Sequence, residues 1–407
     1  MLILIYQNLI VELYNNDVLS FGYYGYPLGT FKIIKFIFVS FIIVIINFNL
    51  PKFICRPSDL IINLYYYLVT LPFMALFSLN FYNDIGGIIG LSSFLILFIL
   101  YNLFFLRTQL NIRKILYFSY NKFFNRKLLI VILLSIFIVI IFILKMGIHT
   151  KIDSLLDVYS QRKIFNNSGI LVQIVFSFLS FGFIPYYIFL YFDTNKYFYL
   201  ILTIIFTIID FIYSGSKMIL FGVFFTFFIG FFMKKKILTT FIVGCFILST
   251  IIFSFLCFYF FKIDLLLSLF IRRSMILVAQ IYGLYFDYFT NHSFNFLSKY
   301  THFLGFLDEI KSASHIIGER FFLKNTHANS GILSDAYGNF GIIGILFYIL
   351  FLFFIFKILN SLNKKYKGFI TFLVFPLAIS LTNSGVLAVF VYQIFPFLIV
   401  FYFFRKG

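Results

Sequence analysis

Eleven apolar runs, each close to the length of a membrane crossing and parted by polar connectors, leave this 407-residue chain few ways to fold. They fall at 33–50, 60–79, 85–106, 128–146, 169–192, 197–213, 218–233, 237–261, 338–359, 369–381 and 386–404. A hydrocarbon core about 30 Å thick takes roughly 20 helical residues to cross. Inside it each backbone N–H and C=O must be bonded within the protein, which a helix does for itself. The runs predict an all-α, polytopic integral membrane protein. Residues 1–13 add a twelfth span or an interfacial helix, for a total of 11–12 transmembrane helices. They carry no basic start and no small-residue cleavage site, so no removable signal peptide is expected. Composition agrees: 62% of residues are hydrophobic and 11% charged, against about 45–50% and about 25% in soluble domains.

The formal charge of +18 resembles that of a nucleic-acid binder until it is placed on the chain. No basic run is interleaved with aromatics in a soluble stretch, so no nucleic-acid partner is expected. Cytoplasmic loops of membrane proteins collect Lys and Arg. With the C-terminus inside, the inner connectors hold 18 bases against Asp59 and Asp193, a net +16; the outer ones hold 14 bases and 12 acids, a net +2. This places the longest polar stretch, 262–336, as one large extracytoplasmic loop containing helices, and 147–168 as a smaller one, within a single membrane domain spanning 1–407. The large loop has no counterpart in the first half, unlike the paired halves of an inverted-repeat transporter.

Polar chemistry gathers outside. Between 265 and 289 the chain is apolar and helical in character, but Arg273, Gln280 and Asp287 recur every seven residues and share one face, with Arg272 beside them. The arginines either snorkel to the interface or bind an anion, since guanidinium is permanently charged and its forked donors match phosphate oxygens. Lys217, behind the Ser214-Gly215-Ser216 turn, starts a helix whose free N–H groups also suit an anion; a capped start with a snorkelling lysine fits equally. Arg162 is a third cation, paired to a nearby Asp or open to substrate. The histidines of the long loop (His292, His302, His315, His327) show no HExxH spacing, and Cys55, Cys245 and Cys257 lie in or beside spans. Neither a metal site nor a structural disulfide is expected, and no nucleotide fingerprint appears, so no cofactor is expected either. Ser58-Asp59 is read as a helix N-cap and Pro72 as a kink.

Several of these stretches resemble the oligosaccharide repeat-unit polymerases of bacterial O-antigen and capsule synthesis, the Wzy-type proteins. They are Val158-Tyr159-Ser160-Gln161-Arg162, Tyr213-Ser214-Gly215-Ser216-Lys217, Arg272-Arg273 followed by Tyr285-Phe286-Asp287-Tyr288-Phe289, Ala328-Asn329, and Asp335-Ala336-Tyr337-Gly338-Asn339-Phe340-Gly341 with Gly344. Lys217 stands where many members have Arg, which keeps the charge and loses the fork. The resemblance implies a metal-independent membrane glycosyltransferase of the bacterial inner membrane. Its substrate would be an oligosaccharide on undecaprenyl diphosphate, and a flippase and a chain-length regulator would be its partners beside the membrane lipids. On that reading Arg272 and Arg273 stabilise the leaving diphosphate with Lys217 and Arg162 in support. Asp287, His292 or Asp335 serves the acceptor hydroxyl, and Gln280, Asn329 and Tyr337 contact sugar. An O-antigen ligase would use the same donor with another acceptor. A flippase would carry charge along the middle of several spans.

Overall fold

The computed structural model describes residues 2–11, 29–107, 124–146, 165, 168–234, 238–262, 266–297, 311–322, 327–329, 331–366 and 368–404. Among them the only β-type pairing is one isolated bridge, Phe53 to Thr239; the rest of the regular structure is helical. Seven helices are long and apolar enough to cross a membrane: Pro57–Ser78, Asp84–Leu106, Val172–Thr194, Tyr197–Ser214, Thr240–Phe261, Ile332–Lys365 and Val386–Phe403. Ile33–Asn49, Leu129–Leu144, Ile219–Lys234 and Ile370–Asn383 are shorter apolar helices. The chain is thus a multi-pass membrane protein by the length and composition of its helices. At the N-terminus, Leu2–Ile5 is followed by a π-helical turn, Tyr6–Ile10. Most of 147–168 and the connector 108–123 lie outside the described residues.

Proline explains several irregularities. A proline has no N–H to donate and its ring presses on the carbonyl four residues back, and widening the preceding turn relieves both. Accordingly, π-helical turns at Tyr66–Thr70, Phe178–Phe183 and Phe390–Ile394 precede Pro72, Pro185 and Pro396. Pro72 is therefore absorbed by a local bulge. Pro57 takes the first position of its helix, as suits a residue with no N–H to satisfy. The cap therefore falls at Arg56, ahead of the expected Ser58-Asp59, and Asp59 at the third position accepts from the N–H groups of Cys55 (3.1 Å) and Arg56 (2.8 Å).

The chain divides into two compact units. The first gathers 1–110, 239–360 and 378–386. One of its buried centres is polar: Tyr101 donates to Asp59 (2.5 Å), and Ser58 is bonded to Asn360 through both backbone and side chain. The second gathers 111–238, 361–377 and 387–407. Its core is aromatic, with Tyr187 stacked on Phe206 and bonded to Ser135, and Phe192 packed against Phe372 where Gly230 leaves room.

Within the expected outer loop, Leu267–Ile276 is a π-helical run that continues as Leu277–Asn291. Both halves lie against 66–70 and 71–78, the second half packs further along Asp84–Tyr101, and Val278 to Phe286 is buried. The helix expected from Gly338 already begins at Ile332 and is re-aimed at Gly341, whose φ of 62° and ψ of −147° only glycine adopts readily.

Candidate functional site

The 267–291 rod carries four of the candidate residues, and it distributes them along its length. Arg272 and Arg273 sit on the π-helical run, partly exposed; Arg272 donates from Nη2 to Ser268 Oγ at 3.1 Å. No proline lies in that run, so the wide turn there has no such cause. Gln280 is fully buried, and Asp287 is half-buried near the far end. Fourteen residues separate Arg273 from Asp287, about 21 Å at 1.5 Å per residue. The seven-residue spacing puts Gln280 and Asp287 on one face of the α-helical half, and the rise along the rod keeps Arg273 and Asp287 from acting on one bond.

At the Asp287 end the site is built from long-range partners. Oδ2 accepts from the Asn83 N–H at 3.2 Å, and Oδ1 occupies the space that a side chain at position 86 would fill; Gly86 leaves it open. Tyr82 clasps the same helix, donating to the Ala279 carbonyl at 2.7 Å. Lys35 is ion-paired to Asp84 and donates to Asn80 Oδ1 at 2.6 Å. Burial pushes the Asp287 carboxyl up from its ordinary 3.8 to about 7, against the pull of the Asn83 N–H and the Lys35 ammonium. A carboxyl poised there can hold or accept a proton near neutrality.

His292 follows the helix end, its ring stacked on Tyr288 at 3.9 Å and its Nδ1 2.8 Å from the Tyr288 carbonyl. A carbonyl only accepts, so Nδ1 carries the hydrogen, and in the neutral ring Nε2 is left as the acceptor. Asn339 then staples the next segment down. It donates from Nδ2 to the Asp335 carbonyl (2.8 Å) and to Oδ1 (3.2 Å), and accepts from the Leu297 N–H at 3.1 Å. Backbone bonds from Asn295 to Gly338 and from Phe296 to Asn339, both 2.9 Å, complete the clasp. Asp335 is thereby held between Asn339 and the backbone of Gly385, whose lack of a Cβ makes room for the carboxylate. Tyr337 is buried, its hydroxyl 3.2 Å from that of Thr290 and its ring against Phe286 and Phe294. It shapes the site and presents no open ring face to a sugar.

Asn329 is exposed, on a segment pinned by Ala328 N–H to the Ser314 carbonyl (2.9 Å) and by Tyr285 to the Ala328 carbonyl (3.0 Å). Nearby, Glu319 receives Lys311 at 2.7 Å and His315 at 3.1 Å, with the His327 ring 4.9 Å from that of His315. Among the described residues no three His, Cys, Asp or Glu side chains converge on one point. Lys217 opens the helix Lys217–Lys234 in the second unit, after Gly215 ends the preceding helix in the left-handed conformation. Arg162 and His302 lie outside the described residues.

Compared with known proteins, the chain matches no family model, no curated protein and no solved structure. The functional reading rests on the residues and their arrangement. Sequence reasoning gave no role at this site to Lys35, Asn83, Gly86 or Asn339, which shape the Asp287 end of the rod. Only Asn339 left a local signal, four residues after Asp335 on one helix face. The others come from positions some two hundred residues away in sequence from Asp287.

Proposed function

We propose that this protein polymerises lipid-diphosphate-linked oligosaccharide units at the outer face of the bacterial cytoplasmic membrane. The observation that carries the reading is the pair Arg272-Arg273, placed on a proline-free π-helical run at one end of a rod whose other end is polar, aromatic and firmly stapled. Such a rod suits an extended substrate with an anionic head and a saccharide tail. The resemblance to Wzy-type polymerases and the strong charge asymmetry of the connectors point the same way.

In the reaction, an acceptor hydroxyl oxygen bonds to the anomeric carbon of the donor unit. The bond from that carbon to the diphosphate oxygen breaks, and the leaving diphosphate keeps the electron pair. Two guanidinium groups at that oxygen stabilise the developing charge. The hydroxyl proton passes to a base that must lie within about 3 Å of it. Asp287 stands about 21 Å of helix from Arg273, so it and His292 serve the saccharide. Asp335, braced by Asn339, positions the saccharide end of the site.

A strain lacking this protein, complemented with Arg272→Ala or Arg273→Ala, is expected to display surface polysaccharide of single repeat units, with the protein inserted normally. Long polymer in both strains contradicts the clamp. Accumulation of lipid-linked units on the inner side of the membrane identifies a flippase instead.

A further inference from the structure

The second unit contains a charged group that polymerisation does not use. Asp210 lies on Tyr197–Ser214, fully buried, and among the described residues neither of its carboxylate oxygens has a hydrogen-bond partner within normal geometry. Two hydroxyls flank it, those of Ser180 and Ser214. Ser180 sits on the π-helical turn Phe178–Phe183, where it donates weakly to the Phe176 carbonyl at 3.3 Å. Ser214 accepts from the Ser216 N–H at 3.1 Å. Ser180 also lines a narrow cleft of about 10 Å³, room for a single water-sized particle, together with Pro185, Ile219, Val223 and Thr226.

An ionised carboxylate among membrane helices is costly without a countercharge, and such residues mark ion and proton sites. The titratable or charged side chains on the helices packed against Tyr197–Ser214 are Tyr186, Tyr187, Tyr191 and Asp193 on one, and Lys217 and Lys234 at the two ends of the other. Tyr187 is engaged with Ser135, and Lys234 with Asn195. No ion pair to Asp210 is formed among the described residues. Beside the carboxylate stand the two serine hydroxyls, and the π-helical turn that carries Ser180 packs against the helix of Asp210. Hard monovalent cations prefer oxygen donors of this kind.

We propose that Asp210, with the hydroxyls of Ser180 and Ser214, binds a small monovalent cation, either sodium or a proton, reached through the cleft beside Ser180. The site is independent of the polymerase reading and stands or falls separately.

Thermal unfolding of the purified full chain in detergent tests it, followed by circular dichroism in sodium chloride against N-methylglucamine chloride at equal ionic strength, and across pH at fixed sodium. The unmodified protein is expected to gain on the order of 2–5 °C in Tm from sodium or from protonation, and Asp210→Asn to lose the sodium response and to show a smaller pH response, the part owed to Asp287 remaining. Ser180→Ala retains the charge and removes one oxygen, so it is expected to need about tenfold more cation for the same shift. A response to sodium identifies a sodium site, and a pH response alone, diminished in Asp210→Asn, identifies a proton site. Equal behaviour of the unmodified protein and Asp210→Asn toward both, or no response of the unmodified protein to either, overturns the proposal.

Discussion

Asp287 shows how a single side chain acquires its character from distant partners. Its folded carboxyl titrates at about 7, against an ordinary 3.8, because burial disfavours the charged form more than Asn83 and Lys35 favour it. The fold binds that proton more tightly than the unfolded chain does. Its contribution to stability is therefore complete below the ordinary carboxylate range and is lost as pH rises through about 7, with no further change above. Asp287→Asn should reduce this slope: Tm of the variant declines less steeply between about pH 5 and about pH 8 than that of the unmodified protein. Equal slopes in the two proteins contradict the assignment. The sequence displayed Asp287 as an acid on a greasy helix, and nothing local announced its partners. Lys35, Asn83 and Gly86 reach it only through tertiary packing, and a seven-residue period cannot report that. The same limit applies to Tyr337, whose aromatic ring suited sugar stacking by type but is buried against Phe286 and Phe294.

Helix identity was far more legible than helix detail. The positions of the apolar helices follow from runs of Leu, Ile and Phe that no other structure satisfies in lipid. What the runs left out was the internal geometry: three π-helical turns adapting to prolines, others at 6–10, 102–107 and 267–276 without one, and the re-aiming at Gly341. That glycine stands within a quoted motif, but its backbone conformation could not be read from it. A Cβ there would stand 2.7 Å from the Phe294 ring, in a backbone region closed to other residues. Gly341→Ala should cost about 1–3 kcal/mol and loosen the 292–297 segment. The readout is hydrogen exchange at the Asn295 and Phe296 amides, which donate to Gly338 and Asn339; both are expected to exchange faster. Unchanged rates argue that the clasp does not depend on this turn.

At the scale of the whole molecule, charge and composition set the membrane class, whereas the division into two units depends on which distant segments pair. The first unit alone draws on three separate stretches of chain. Orientation is testable with single cysteines in a cysteine-free background. Ser384→Cys is expected to react with an impermeant thiol reagent on intact cells, and Lys196→Cys only after the membrane is opened; the reverse pattern inverts the topology and removes the outer-face reaction. The most direct measurement is made on the purified chain in lipid vesicles supplied with oligosaccharide on undecaprenyl diphosphate. The expected products are a ladder at whole multiples of the repeat unit, with one lipid diphosphate released for each linkage and both lost in the Arg272→Ala, Arg273→Ala double variant. Absence of a ladder from active-oriented protein given its own repeat unit, or an undiminished ladder from the double variant, contradicts a polymerase working through that arginine pair.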